Sequence, residues 1–167
     1  MCIRDSDEDD FYEAIASFSG ASKRLEKIAA NDNSVAYKDF AHSPSKVSAT
    51  TKAVKNQYPN RKLIACLELH TYSSLNAEFL KQYNGALKLA DEAIVFYSPE
   101  AVAIKKLDFV SEVHIKEAFN QQNIRIFTDG EAFREFLYDQ QFANKTLLLM
   151  SSGNYGGLNF ETVKELF

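Results

Sequence analysis

A chain of 167 residues, 46% hydrophobic and 25% charged, is long enough to bury one sizeable core and too short for two. The net charge is −4, and acidic and basic residues are interspersed apart from an acidic cluster at 5–10, so no basic face indicates nucleic acid or a membrane surface. No apolar stretch approaches the roughly 20 residues that span a bilayer, and the two distant cysteines form no disulfide framework, so we expect a cytoplasmic protein with small-molecule partners.

Four short apolar runs predict strands that are buried on both faces. They are residues 63–67 (LIACL), 93–97 (AIVFY), 124–127 (IRIF) and 146–150 (TLLLM). Runs of this length without polar alternation are typical of a parallel sheet. Nearer the start, residues 25–30 and 35–40 flank a turn rich in Asn and Asp, which predicts an antiparallel hairpin.

Helical spacing of apolar residues recurs between the predicted strands. One helix is predicted behind Ser43 and Pro44, and another over residues 75–90. Two more are predicted behind Ser111 and behind a capping box that begins at Thr128. The alternation predicts a single α/β domain with a Rossmann-like, doubly wound, mostly parallel sheet and an N-terminal antiparallel hairpin.

The segments that follow the predicted strands are polar. They are residues 39–44 (DFAHSP), 68–74 (ELHTYSS) and 151–157 (SSGNYGG). Open parallel sheets bind ligands beyond the carboxyl ends of their strands, so these segments are the candidate binding regions. Each of them alone also fits an ordinary loop, with Ser43 as a helix cap and the glycines at positive φ.

Missing motifs narrow the possible chemistry. The sequence has no GxxxxGK[ST] loop, no GxGxxG loop and no GxSxG elbow, which disfavours a nucleotide-cradling domain and a serine hydrolase. The three histidines have no metal-ligand spacing among themselves or with the cysteines, so no metal site is predicted. His114 is predicted to be structural or exposed.

Three motifs in chain order resemble the C-terminal domain of Mur ligases. Residues 18–26 (FSGASKRLE) and 37–44 (YKDFAHSP) resemble its entry, where a Gly–x–x–x–Arg segment precedes an Asp–aromatic–small–His–x–Pro motif. Residues 147–158 (LLLMSSGNYGGL) resemble a loop of the tripeptide-adding branch. The motifs lie between residues 18 and 158, and the resemblance as a whole extends over nearly all of residues 11–160.

This resemblance implies an ATP-dependent ligase that forms an amide through an acyl phosphate. In that family a first domain holds the UDP-sugar, a central domain carries the P-loop and the magnesium ligands, and a third domain closes over ATP and presents the amine. The resemblance implies that residues 23–167 are the third domain, with a final helix that stops short, and that 11–22 link it to a central domain. ATP and Mg²⁺ would be the cofactors, with Mg²⁺ held mainly outside this chain. Independently of the resemblance, residues 1–10 (MCIRDSDEDD) fit no predicted element, and we expect a non-native or disordered leader there.

The resemblance also assigns roles by position. Arg24 matches an arginine that reaches the ATP phosphates on closure, Asp39 an acidic residue near the nucleotide, and His42 a histidine close to the amine. Asp39 could instead make a structural hydrogen bond to the following helix. Ser43 stands where many relatives have a second histidine. The substrate-binding candidates are His70, Thr71, Ser73, Ser151, Ser152 and Asn154.

The sequence is compatible with three functions. We favour the branch that joins UDP-N-acetylmuramate to a murein tripeptide in peptidoglycan recycling, because residues 70–74 lack the arginines with which the L-alanine-adding branch grips alanine. This chain also lacks the arginine that the tripeptide branch often shows near His70. The alternatives are the C-terminal domain of a UDP-N-acetylmuramate–L-alanine ligase and a stand-alone α/β binding module without catalysis.

Overall fold

The computed structural model describes residues 24–106 and 111–167, whose strands form a six-stranded sheet in the order β1-β2-β6-β3-β4-β5. The strands are β1 (Glu26–Ala30), β2 (Val35–Asp39), β3 (Lys62–Glu68), β4 (Glu92–Phe96), β5 (Arg125–Phe127) and β6 (Lys145–Met150). The β1–β2 pair is antiparallel and the other pairs are parallel, which confirms the predicted hairpin and mostly parallel sheet.

Helices connect the strands and cover the sheet. They are α1 (Pro44–Gln57), α2 (Ala77–Leu80), α3 (Pro99–Ile104), α4 (Glu112–Phe119), α5 (Gly130–Tyr138) and α6 (Phe160–Lys164). Within the described parts of the chain, no helix has both the length and the apolar character needed to cross a membrane.

Two apolar cores lie on opposite faces of the sheet. Leu63, Ala65 and Leu67 of β3 join the core that packs under α1 and α4, whereas Ile64 and Cys66 join the core under α5 and α6. Successive side chains of a strand point to opposite faces, so an uninterrupted apolar strand can serve both cores. The arrangement confirms the doubly wound α/β fold.

The predicted continuous helix over residues 75–90 is wrong. The Asn76 side chain accepts hydrogen bonds from the N–H groups of Glu78 and Phe79, so α2 begins only after it. A 3₁₀ turn, Lys81–Tyr83, follows at once, and Gly85 adopts a positive φ of 69°, which ends regular structure. The apolar residues of the pattern are nevertheless buried, because the turns aim them at the same core.

The predicted first residues of three helices agree with the structure to different degrees. Ser111 caps α4 as predicted, through a hydrogen bond from the His114 N–H. The cap of α5 is Asp129, one residue beyond the predicted Thr128, and its carboxylate accepts from the Ala132 N–H at 2.8 Å. Ser43 occupies the N-cap position of α1, but its side chain makes no capping hydrogen bond.

At the amino-terminal edge of the sheet, the Asp91 carboxylate ties α1 to β3. One of its oxygens accepts hydrogen bonds from Lys55 Nζ at 2.6 Å and from the Leu63 N–H at 2.7 Å. Burial alone would raise the pKa of Asp91, but these hydrogen bonds and the lysine charge outweigh burial and lower the pKa. The folded state therefore favours the ionised carboxylate.

Replacing Asp91 with Asn should lower the free energy of unfolding by about 1 kcal/mol at neutral pH, a modest loss because the side chain is partly exposed. Since the folded pKa is lowered, the contribution is present above the unfolded pKa of about 3.9 and is lost as pH falls through the folded pKa. Urea unfolding of both proteins at neutral and acidic pH measures this. An equal difference at both pH values would contradict the account.

Candidate functional site

The ends of β2, β6 and β3 lie side by side, and we call this row the carboxyl edge. Met150 pairs with Asp39 on one side and with Leu67 on the other. The Ser151 N–H then donates to the Asp39 carbonyl oxygen at 3.0 Å. The three polar segments selected from the sequence, 39–44, 68–74 and 151–157, therefore begin at one edge. The predicted linker and leader lie outside the described residues.

Asp39 is buried at the end of β2 and has a clear structural task. Its Oδ1 accepts from the Ala41 N–H at 2.6 Å, and its Oδ2 accepts from the Leu25 N–H at 2.5 Å. Leu25 has a positive φ of 43°, an uncommon conformation for a leucine that the Asp39 bond helps to hold. The carboxylate thus fixes the chain as it enters β1. It accepts hydrogen bonds from Leu25 and Ala41, and not from the following helix α1, which was the structural alternative predicted from the sequence.

A cleft of roughly 270 Å³ opens beside Asp39, and we call it the Arg24 cleft. It is lined by Arg24, Asp39, Phe40, Ala41, Lys46, Ala49 and Thr50. Arg24 and Lys46 are exposed, and the Phe40 side chain is 42% exposed. Two cationic groups next to an accessible aromatic ring suit a phosphorylated ligand that also carries a flat ring.

His42 is held in one orientation beside the Arg24 cleft. Its Nδ1 lies 2.9 Å from the Phe40 carbonyl oxygen, and because a carbonyl can only accept, Nδ1 must be the donor. The neutral ring then has Nε2 as its acceptor. The Tyr83 hydroxyl donates to the His42 carbonyl oxygen, and burial raises the pKa of Tyr83 to about 12, so that it stays protonated at neutral pH.

Glu68, which lies in the candidate segment 68–74 but was not predicted to be a site residue, organises the middle of the carboxyl edge. Its side chain is only 4% exposed, and its Oε2 accepts hydrogen bonds from the Ser151 hydroxyl and from the Tyr155 N–H at 3.0 Å. The Nδ1 atom of His70 lies 3.7 Å from its Oε1. The sequence signal for this role is a carboxylate at the end of an apolar run, and an ordinary polar loop accounts for the same pattern.

The loop after β6 is built around Tyr155, which also has a positive φ, of 52°. Its hydroxyl lies 2.9 Å from the Cys66 carbonyl oxygen and 2.8 Å from that of Met150. Burial, reinforced by the nearby Cys66 and Glu68, raises the pKa of Tyr155 well above its usual value, so the hydroxyl remains a donor. Its ring stacks on Phe133 of α5, with centroids 5.0 Å apart.

Three of the predicted substrate contacts, Thr71, Ser73 and Asn154, form hydrogen bonds within their own loops. The Thr71 hydroxyl bonds to Ser74 and contacts that of Ser73, and the Asn154 side chain accepts from the Gly157 N–H at 3.2 Å. Ser151 bonds to Glu68, whereas the Ser152 hydroxyl oxygen is buried and has no hydrogen-bond partner among the described residues. His70 is half-exposed at the edge, and His114 is exposed on α4, as expected.

Comparison with known families identifies the class of protein. The profile of the family described as Mur ligase, glutamate ligase domain matches residues 23–153. The match covers most of the chain, and the chain therefore belongs to the Mur ligase family as a C-terminal domain.

Individual relatives divide between two activities. UDP-N-acetylmuramate–L-alanine ligases of Caldicellulosiruptor saccharolyticus and Brachyspira hyodysenteriae are 38% and 27% identical over 53% and 94% of this chain. The chain spans 19% and 34% of their lengths. The crystal structure of a murein peptide ligase from Psychrobacter arcticus superposes with a TM-score of 0.67 at 18% identity, covering 93% of this chain and 32% of that one. At that identity the superposition shows the shared fold alone.

Proposed function

We propose that this chain is the amine-presenting domain of an ATP-dependent amide ligase. The observation that carries the proposal is that two different groups of side chains lie next to each other at the carboxyl edge. They are joined where the Ser151 N–H donates to the Asp39 carbonyl oxygen. One is the cationic Arg24 cleft and the other is the set of histidine and serine side chains around Glu68. In the family chemistry, ATP converts a carboxylate to an acyl phosphate and an amine then displaces the phosphate.

On the nucleotide side, Arg24 is the residue that would meet the transferring phosphoryl group when the domain closes. Its guanidinium is always charged and can bind two phosphate oxygens at once. Lys46 borders the same cleft and would add positive charge. Among residues 24–106 and 111–167, no cluster of three His, Cys, Asp or Glu side chains suits a metal ion, so we assign no magnesium ligand to them.

On the amine side, His42 and His70 would orient the attacking nitrogen. The Nε2 atom of His42 can accept a hydrogen bond from the amine because Nδ1 is committed to Phe40. The amine lone pair then forms the C–N bond to the acyl carbon, and the bond from that carbon to the phosphate oxygen breaks. Inorganic phosphate leaves with that electron pair and takes up the proton that the nitrogen loses. Positioning supplies much of the rate of such a step, because it replaces a bimolecular encounter.

For the amine substrate we propose a murein tripeptide, to be joined to UDP-N-acetylmuramate. Residues 70–74 contain none of the arginines with which the L-alanine-adding branch grips alanine, and residues 147–158 resemble a loop of the tripeptide-adding branch. L-Alanine is the second candidate, because the sequence relatives named above are L-alanine ligases. A non-catalytic binding module is the third, and it predicts no amine-dependent turnover at all.

The test is phosphate release by the complete ligase that carries this domain. With UDP-N-acetylmuramate and Mg·ATP, tripeptide should support a kcat/KM at least about tenfold above that of L-alanine, because a missing carboxylate contact costs on the order of 1–3 kcal/mol. The purified 167-residue chain, which has no P-loop, is the control and should release no phosphate. Equal or better use of L-alanine would assign the domain to the second candidate.

A further inference from the structure

The two oxygens of the buried Glu68 carboxylate have unequal surroundings. Oε2 accepts hydrogen bonds from the Ser151 hydroxyl and the Tyr155 N–H. Oε1 accepts none among the described residues, and the Nδ1 atom of the half-exposed His70 ring lies 3.7 Å from it. That separation is too long for a hydrogen bond and short enough for an electrostatic contact. One oxygen therefore holds a loop and the other faces a predicted substrate contact.

Fold stability alone does not explain a charge at this position. Glu68 ends β3 after the buried apolar residues 63–67, and a buried carboxylate without a fixed cation costs free energy that an apolar side chain would not. Of the charged residues in the described ranges, His70 alone forms an ion contact with Glu68, and only when its ring is protonated. A hydrogen-bonded polar network in a buried site specifies one arrangement of the groups that it joins.

Gly153 shows how closely the loop is fitted to this carboxylate. A Cβ atom at position 153 would lie 2.8 Å from Oε2 of Glu68, a separation that real Cβ atoms essentially never show, and a tight 3.0 Å from Oε1. The Gly153 N–H also donates to the Ser151 hydroxyl oxygen at 2.6 Å, and that hydroxyl donates to Glu68. Backbone, serine and carboxylate thus form one connected chain of hydrogen bonds.

We propose that Glu68 is a positioning residue for the amine substrate, which fixes the 151–155 loop and the His70 ring relative to each other. This inference rests on the proposed function of the carboxyl edge. Glu68 is too buried to be a principal contact, so it acts through its neighbours. Around metal ions, residues that orient the direct ligands change affinity by about 10- to 100-fold when replaced, and we expect an effect of the same order here.

The physical half of the proposal is tested on the 167-residue chain itself. Glu68→Gln keeps the side-chain shape and removes the charge, and it should speed hydrogen exchange of the Tyr155 amide by about tenfold or more and shift the His70 ring resonances in NMR spectra. Glu92→Gln is the matched control, because Glu92 begins the neighbouring strand at the opposite edge and contacts Arg125. It should change neither signal. Unchanged exchange and unchanged ring resonances in Glu68→Gln would overturn the proposal.

The functional half is tested in the complete ligase by measuring each KM separately. Glu68→Gln should raise KM for the amine about tenfold and leave KM for ATP within about twofold, whereas a general loss of structure would affect both. Should Glu68→Gln fail to fold, Ser151→Ala breaks the same contact without touching the charge and should give the same split. Adding Ser151→Ala to Glu68→Gln should have little further effect, because both changes break one network.

An unchanged amine KM, or an equal rise in both KM values, would overturn the positioning role. Absence of any amine-dependent phosphate release by the unaltered ligase would instead refute the proposed function. In that event the exchange and resonance measurements on the 167-residue chain still decide whether Glu68 fixes the loop and the ring.

Discussion

Arg24→Ala in the complete ligase should lower kcat by about 100-fold or more while leaving KM for the amine nearly unchanged. Arg24 lies exposed at the mouth of a cleft that it shares with Lys46. If its guanidinium meets phosphate charge only on closure, the interaction is stronger in the transition state than in the bound ground state, and its loss appears in kcat. Folding should be affected by no more than about 0.5 kcal/mol, as is usual for surface positions.

Two further variants make the Arg24 result specific. Arg61→Ala removes an arginine at the opposite end of the sheet, where it packs over the Tyr58 ring, and should leave kcat unchanged. His42→Ala should instead act mainly on KM for the amine, because the free acceptor of His42 faces that substrate in our proposal. Parental kinetics in both Arg24→Ala and His42→Ala would refute the assignment of these two residues.

Tyr155→Ala should be the most destabilising single substitution considered, lowering the free energy of unfolding by about 3–5 kcal/mol. The ring is fully buried, packs between Phe96 and Phe133, and leaves a large cavity when truncated. The substitution also removes the hydroxyl that bonds the carbonyls of Cys66 and Met150. Chemical denaturation with an unchanged m-value measures the loss.

The hydroxyl contribution can be separated by a pair of tyrosine-to-phenylalanine changes. Tyr155→Phe keeps the packing and should cost about 1–2 kcal/mol, because it leaves buried acceptors without their donor. Tyr138→Phe removes a hydroxyl that contacts Thr162 on the surface and should change stability by less than about 0.5 kcal/mol. Equal effects of the two changes would show that Tyr155 does not hold the loop through its hydroxyl.

The sheet could be predicted from the sequence because its strands are continuous apolar runs. A run such as 63–67 has to be buried on both faces, and few arrangements other than a parallel sheet satisfy that requirement. The helix predicted over 75–90 failed for a related reason, since burial of Leu80, Tyr83 and Leu87 needs only that they reach one core. Short turns between Asn76 and Gly85 bury these side chains as well as one continuous helix would, so the apolar spacing does not distinguish the two structures.

The candidate site was predictable only in outline. Placing the polar segments at the strand ends followed from the general geometry of parallel sheets. The importance of Glu68 did not follow, because its partners are 83 and 87 positions away along the chain, at Ser151 and Tyr155. The strand order β2-β6-β3 creates that contact, and no local pattern encodes it. Likewise, the hydrogen bond that the Leu25 N–H donates to Asp39 comes from a residue with a positive φ, which the sequence does not signal.

The central claim is that the carboxyl edge of this sheet receives the amine substrate. A crystal structure of the complete ligase with UDP-N-acetylmuramate, tripeptide and a non-hydrolysable ATP analogue tests it most directly. Our account predicts that the amino nitrogen of the peptide lies at the carboxyl edge, against His42, His70 and the 151–155 loop, with the phosphates facing Arg24. A peptide bound at the opposite edge, near the turn at 31–34, or held wholly by another domain, would contradict it.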